Sequence, residues 1–352
     1  MDTMMIYLVI LLLSFGLILG KKYITKIKRN SYKSNITLDN VPNDFEQIYQ
    51  KLYAENIYSL EIMRKKVRFR KIFQYIFIIL FFIGYIVSET RTEIISKEID
   101  LYLGVIGIIS FVLWLVFVFS NRKYERKYNE TYKKEIVSNF IKLVNPELEY
   151  KPIADEVGRM RMDYELAKFD NKRFNRFYAD DYIEGFMNDD IFIKAVDLHI
   201  QNETGSGKSR HVEEIFQGIF ANTKCNKDIK TFVKISKNKL KILDRKNRVE
   251  MDSQEFEKYF DVYSENDVIT MQLLTSDIME ILLDFYEKYK LDFEIVFVNN
   301  TIYLRFFTGP MFEPKIFGDS MDKELLFVYY STLKFVAELT IKVNEIMKEV
   351  EV

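Results

Sequence analysis

The hexapeptide Thr204-Gly205-Ser206-Gly207-Lys208-Ser209 finishes as a phosphate-binding loop finishes, with glycine, lysine and a hydroxyl side chain in succession. In such a loop the backbone amides and the lysine cradle phosphates. The complete pattern needs a second glycine five places before Gly207, where Asn202 stands. It also needs a helix to follow, whereas the residues beyond Ser209 read as β-structure. The hexapeptide is therefore read as the turn of a β-hairpin, its glycines supplying the backbone freedom. His199 and His211 are the only histidines and flank that turn, so paired strands would bring them towards each other. Two imidazoles with no nucleophile and no third ligand make neither a hydrolytic triad nor a catalytic zinc site. Asp180, Asp181 and Glu184, and the pair Asp189 and Asp190, carry charge suited to a hard cation but lack the spacing of a calcium loop. They read as solvated turn residues. Cys225, the only cysteine, lies near Lys224 and Lys227, which would lower its pKa, although its default reading is a bystander thiol. No catalytic, cofactor-binding or metal-ligating residue is assigned, and no cofactor is expected.

The elements that would carry any chemistry hang from two apolar runs, Ile72 to Val87 and Leu101 to Phe119, neither of which contains a charged residue. A membrane span needs roughly 17 to 25 predominantly apolar residues; the first run sits at the low end of that window and the second inside it. Their flanks differ in sign. Arg64, Lys65, Lys66, Arg68, Arg70 and Lys71 precede the first run, and Arg122, Lys123, Arg126 and Lys127 follow the second. Between the runs Glu89, Glu93, Glu98 and Asp100 outnumber Arg91 and Lys97. Basic flanks stay on the cytoplasmic side, so the connecting loop is expected outside. A third apolar run, Met4 to Leu19, is followed by Lys21, Lys22, Lys26, Lys28 and Arg29. A secretory signal carries its basic residues before the apolar stretch, so this run reads as an uncleaved anchor with the N-terminus outside; it either crosses the bilayer or lies in its interface.

Of the 352 residues 48% are hydrophobic and 29% charged, which excludes a disordered chain and leaves room for one sizeable soluble core. The net charge of −1 conceals basic clusters beside the spans, where anionic inner-leaflet lipid is the nearer partner; nucleic acid is not expected as one. A single cysteine permits no intrachain disulfide and agrees with a reducing cytoplasm.

Phe45, Ile48, Tyr49, Leu52, Tyr53, Ile57 and Leu60 recur at helical spacing and predict a helix running into the first of the two central spans. Beyond the second, Tyr124, Tyr128, Tyr132, Ile136 and Phe140 step by four along one face, predicting a packing seam between two antiparallel extensions. Pro146 ends that helix and 145–152 is extended. Ala154 to Lys168 reads as a helix. Strands are expected around Val196 to Ile200, His211 to Ala221, Thr231 to Ile235, Leu240 to Leu243, Asp261 to Ser264 and Val268 to Leu274. Ser253 begins a short helix, Thr275 or Ser276 caps another, and Phe293 to Val298 pairs with Ile302 to Phe307 around Asn299 and Asn300. A final helix runs from about Lys323 to Lys348. The fold class is α+β: a transmembrane helical hairpin and an N-terminal membrane helix, with a cytoplasmic domain on a mainly antiparallel sheet with flanking helices.

The ordered set formed by the hairpin, Pro146-Glu147-Leu148-Glu149-Tyr150-Lys151-Pro152, Ile215-Phe216-Gln217-Gly218-Ile219-Phe220, the run Phe256 to Ser264, Leu273-Leu274-Thr275 and Phe312-Glu313-Pro314 resembles the bacterial membrane family called domain of unknown function 3137. The resemblance covers roughly Asp44 to Pro314. Gln217 and Met271 stand where that family often has a basic residue and an arginine, and the extra N-terminal run is not typical of it. The resemblance implies placement in a membrane and a cytoplasmic α+β domain, and transfers no functional residue.

The expected organisation is an anchor over 1–20, a basic linker and amphipathic helix over 21–71, the hairpin over 72–119, a stalk helix over 120–145 and the α+β domain over 146–352. The expected location is the inner (plasma) membrane, multi-pass. Two functions fit: a membrane-anchored interaction or scaffold module, with a protein partner or a second copy as further candidates, and an enzyme using an acidic cluster such as Asp180, Asp181 and Glu184 on a membrane-proximal substrate. The first is preferred, because no nucleophile with its base, metal cluster or complete phosphate loop is visible.

Overall fold

The computed structural model describes residues 41–90, 97–188, 190–238 and 247–349. The apolar run Met4 to Leu19, the linker before residue 41 and the expected strand Leu240 to Leu243 lie outside them. Two compact units are present: Pro42–Pro146 with Phe312–Leu326, and Glu147–Met311 with the chain from Phe327.

The helical unit is an antiparallel pair. Helix α1 (Asn43–Thr90) is continuous through the amphipathic segment and the apolar run, and α2 (Lys97–Thr131) returns along it. Ring contacts fix the direction: Phe73 and Phe77 lie 6.2 and 5.5 Å from Phe117, and Phe81 lies 4.9 Å from Phe111. The buried seam of α1 before the apolar run is Phe45, Leu52, Asn56, Leu60, Arg64 and Val67, spaced by one seven, three fours and one three as a helix–helix interface requires. The row stepping by four beyond α2 has its own geometry. Each step of four overshoots a 3.6-residue turn by about 40°, so a pure α-helix would carry the row out of the interface. A π-turn at Tyr132–Val137, wider than an α-turn, takes up that drift before α3 (Ser138–Val144) resumes. Tyr128, Tyr132, Ile136 and Phe140 are all buried as a result, and Asn145 leaves the helix with extended backbone.

Among the described residues, the second unit is built on nine antiparallel strands: β1 (Leu148–Ile153), β2 (Arg176–Asn188), β3 (Ile191–Thr204), β4 (His211–Lys224), β5 (Val233–Lys237), β6 (Arg248–Val249), β7 (Phe260–Ser264), β8 (Phe293–Val298) and β9 (Thr301–Phe306). Their spatial order is β1-β2-β3-β4-β9-β8-β5-β7-β6. Helices α4 (Val157–Ala167), α5 (Gln254–Tyr259), α6 (Asp267–Leu273), α7 (Ser276–Tyr289) and α8 (Lys323–Glu349) complete the described chain. The α+β class is thus observed.

The sheet is covered on both faces, which explains why β8 and β9 read as almost unbroken apolar runs. On one face Met160, Tyr164 and Ala167 of α4 pack with Val196, Leu198, Phe216, Phe220, Val296 and Tyr303. On the other, Phe285 of α7 stacks on Phe335 of α8 at 4.0 Å, and Phe335 meets Phe293 and Phe306. Gly218 serves this packing directly. Its φ is +151°, and a Cβ there would lie 2.1 Å from the Phe306 carbonyl oxygen, so β4 can meet the end of β9 only with glycine.

Two expectations fail locally. Val268 to Leu274 is not a strand but helix α6: the Asn266 side chain accepts from the Ile269 amide as an N-cap, and Asp267 favours the first turn. Thr270 and Leu273, three apart, face inwards, while Val268 and Met271 face solvent, so the period is helical rather than alternating. Asp180, Asp181 and Glu184 are not turn residues either; all three lie within β2, which begins at Arg176.

Candidate functional site

Among the described residues, the apolar flank of the helical unit is a continuous run of apolar side chains left largely uncovered by protein. Both long helices are long and apolar enough to cross a membrane, and in the most apolar window of each only 11% of the residues are buried. Ile72, Ile76, Ile79 and Ile83 of α1 and Val105, Ile109, Val112 and Val116 of α2 are exposed. The helices approach closely at Gly84, where a Cβ would lie 2.8 Å from the Leu103 carbonyl oxygen and 3.1 Å from the Gly107 Cα. Immediately beyond the apolar zone stands a polar collar. Arg70 Nε donates to Asn121 Oδ1 at 3.1 Å, Asn121 Nδ2 donates to Gln74 Oε1 at 2.9 Å, and Lys71 pairs with Glu125 at 2.8 Å. The guanidinium of Arg70 also lies 4.3 Å from the Tyr124 ring centroid. Lys65, Lys66, Arg68, Arg122, Lys123, Arg126 and Lys127 are exposed around it.

The segment Phe312–Leu326 is strapped to the same helices. Arg64, held bidentately by Glu61 at 2.7 and 2.8 Å, donates to the Gly318 carbonyl, and Ser320 donates to Glu61 Oε1 at 2.9 Å. Tyr49 and Tyr128 donate to the carbonyls of Met321 and Lys315, each at 3.2 Å, and Lys323 pairs with Glu46 at 2.6 Å. Burial pushes the Tyr49 phenol up to about 12 and raises the Tyr128 phenol as well, so both hydroxyls stay neutral donors. Glu61 is held below the usual carboxylate range by its hydrogen bond from Arg64.

The residues singled out by type fall elsewhere. Residues 204–209 form the turn between β3 and β4, with Gly205 at φ +75° and Gly207 at φ +56°, and a strand follows. His211 pairs with Thr204 and His199 with Gln217, which separates the two histidines by about 17 Å of ladder at the usual rise per residue. His199 Nε2 instead lies 2.9 Å from Gln201 Nε2 and 3.5 Å from Glu214 Oε2. Asp181 is buried at a register irregularity of β2, with φ +52°, and accepts from the Tyr150 hydroxyl. Glu184 accepts from Lys151 at 2.9 Å and from the Tyr182 hydroxyl at 2.8 Å. Burial alone would raise the pKa of Glu184; these two donors outweigh it and hold the carboxyl below its ordinary value. Asp190 ends the β2–β3 turn, and Asp189 lies outside the described residues. Burial pushes the Cys225 thiol up to about 12, which reverses the lowering expected from Lys224 and Lys227 and leaves an unreactive thiol. Among the described residues no three His, Cys, Asp or Glu side chains are grouped to hold a metal ion.

The densest ionic cluster was not singled out by residue type. Arg305 of β9 is buried, donates to Glu294 Oε2 through Nε (3.0 Å) and Nη2 (2.6 Å), and reaches the Tyr164 hydroxyl at 2.6 Å and Asp170 at 2.9 Å. The rings of Phe169, Phe307 and Phe216 lie 4.7, 5.4 and 5.6 Å from the guanidinium. Burial works against the charge, but Glu294, Tyr164 and Asp170 outweigh it and keep the guanidinium charged. The signal was present in the hairpin itself: two-residue pairing around Asn299 and Asn300 places Glu294 opposite Arg305, each in an otherwise apolar strand. With two carboxylates and a phenol around one cation, the arrangement serves the core.

Residues 214–344 match the family model described as a protein of unknown function, DUF3137. That stretch is similar to the DUF3137 family. It takes in most of β4, all of β5 to β9, helices α5 to α7 and most of α8, and with them the motifs Ile215 to Phe220, Phe256 to Ser264, Leu273 to Thr275 and Phe312 to Pro314. The helical pair and Pro146 to Pro152, which also carry the resemblance seen in the sequence, lie before the matched DUF3137 residues. No curated protein and no solved structure matches the chain.

Proposed function

We propose that this protein is a membrane-anchored interaction module, in which α1 and α2 cross the bilayer as a hairpin and hold the DUF3137 segment at the cytoplasmic surface. One observation carries the reading: charge-free stretches of both helices leave most of their apolar residues uncovered by protein. Water would penalise that surface at about 25 cal/mol for each square ångström, whereas hydrocarbon does not. The exposed cations of the collar set the orientation, since basic flanks are retained on the inner side. They also favour anionic lipid there, at about 1 kcal/mol for each Lys or Arg near the surface. A protein partner or a second copy would engage the sheet unit. Membranes containing the full chain test the reading: the protein should stay with the bilayer through alkaline carbonate, and a C-terminal tag should resist protease added outside intact cells yet be digested in inverted vesicles. Recovery of the chain as a soluble species without detergent, or digestion of the tag from outside, overturns it.

A further inference from the structure

Resting on the hairpin reading above, we infer that the strap Phe312–Leu326 is itself a bilayer contact, with Phe317 seated among the lipid headgroups beside Arg68. Phe317 is 51% exposed although aromatic, and its ring centroid lies 5.8 Å from the Arg68 guanidinium. Arg68 precedes Ile72, the first residue of the apolar run, by four positions, about 6 Å along a helix. Phe317 is therefore level with the last turn before hydrocarbon, as is Phe69, which is 61% exposed. Aromatic rings favour that depth, and a guanidinium there pairs with lipid phosphate while its stem lies along apolar surface. The occupant that fits is a lipid surface, because the patch continues the apolar flank on one side and the cationic collar on the other. The position is built rather than incidental: Arg64 fixes the Gly318 carbonyl, Ser320 is tied to Glu61, and Gly318 turns the backbone at φ +123°.

The test uses the full chain in nanodiscs of equal parts phosphatidylcholine and phosphatidylglycerol. Trp114 is the only tryptophan, so the double variant W114F/F317W carries one indole at the strap, and the unaltered chain carries one in the span. Lipids brominated near the glycerol end should quench the strap indole more than lipids brominated at the acyl terminus, and its emission should lie to the blue of that from the same chain unfolded in urea. A nitroxide on Asp319→Cys, an exposed neighbour, reads the same depth without altering Phe317; oxygen should relax it more than a water-soluble nickel chelate does. Bromine quenching of Trp114 with the strap indole quenched only by aqueous iodide overturns this inference and leaves the hairpin standing. Trp114 silent to every brominated lipid overturns both.

Discussion

At the scale of single residues the telling groups are charges placed where charge is costly. Arg305 and Glu294 are both buried and face each other across β8 and β9. Removing one partner leaves the other unpaired in the core, which costs about 3–5 kcal/mol, whereas replacing both by apolar groups of similar size is often neutral. Arg305→Met is therefore expected to lower the stability of the full chain in detergent by that amount, and Arg305→Met with Glu294→Leu to recover most of it. Urea denaturation followed by circular dichroism decides the matter; equal losses in the single and double variants would remove the pair from the account. The sequence carried this contact only implicitly. Asn299 and Asn300 were readable as a two-residue turn, and the register follows from that, but Asp170 and Tyr164 come from over a hundred positions away and no local pattern points to them. The same gap explains Cys225: neighbouring lysines are visible in sequence, whereas the burial that dominates its thiol is tertiary.

At the scale of elements, periodicity was readable wherever one face alone is buried, and it misled where few residues carry the pattern. Helix α1 and the tyrosine row follow from spacing. Helix α6 does not, since Val268-Ile269-Thr270 is rich in β-branched residues and only the Asn266 cap and the Thr270 to Leu273 spacing decide for helix. The π-turn at Tyr132–Val137 is likewise hidden in a step of four that an α-helix cannot sustain. The close helix approach gives a sharper test. A Cβ on Gly84 would meet backbone atoms of α2, which cannot swing aside as a side chain can. Gly84→Val should push α1 and α2 apart at that level while leaving the collar in place. Cysteines substituted for Phe81 and Phe111, whose rings lie 4.9 Å apart, should cross-link readily in the otherwise unaltered chain and poorly with valine at 84. The buried Cys225 contributes little background. Undiminished cross-linking would mean that the helices are held by something other than this contact.

At the scale of the whole molecule, the arrangement rests on the apolar stretches of two helices, little of which is buried in protein, and on a collar of cations at one end of those stretches. Amino-acid types declare both features, because hydropathy and charge act through the solvent rather than through distant partners; that is why the apolar pair and its basic flanks are readable in the sequence and the ionic core is not. If the collar sets orientation, exchanging charges should reverse it. Replacing Glu89, Glu93, Glu98 and Asp100 by lysine, with Lys65, Lys66, Arg122, Lys123, Arg126 and Lys127 changed to glutamine, moves the basic excess to the opposite side of the two runs. A charge at the centre of a span costs about 2.5 to 3.5 kcal/mol on an insertion scale; these exchanges place none there, so insertion itself should persist. A thiol-reactive probe that cannot cross membranes, applied to a cysteine at Thr92, should label the unaltered chain from outside and the exchanged chain only after the cells are opened. Labelling from outside in both would show that the bulk of the folded sheet unit, rather than the flanking cations, dictates which side it occupies.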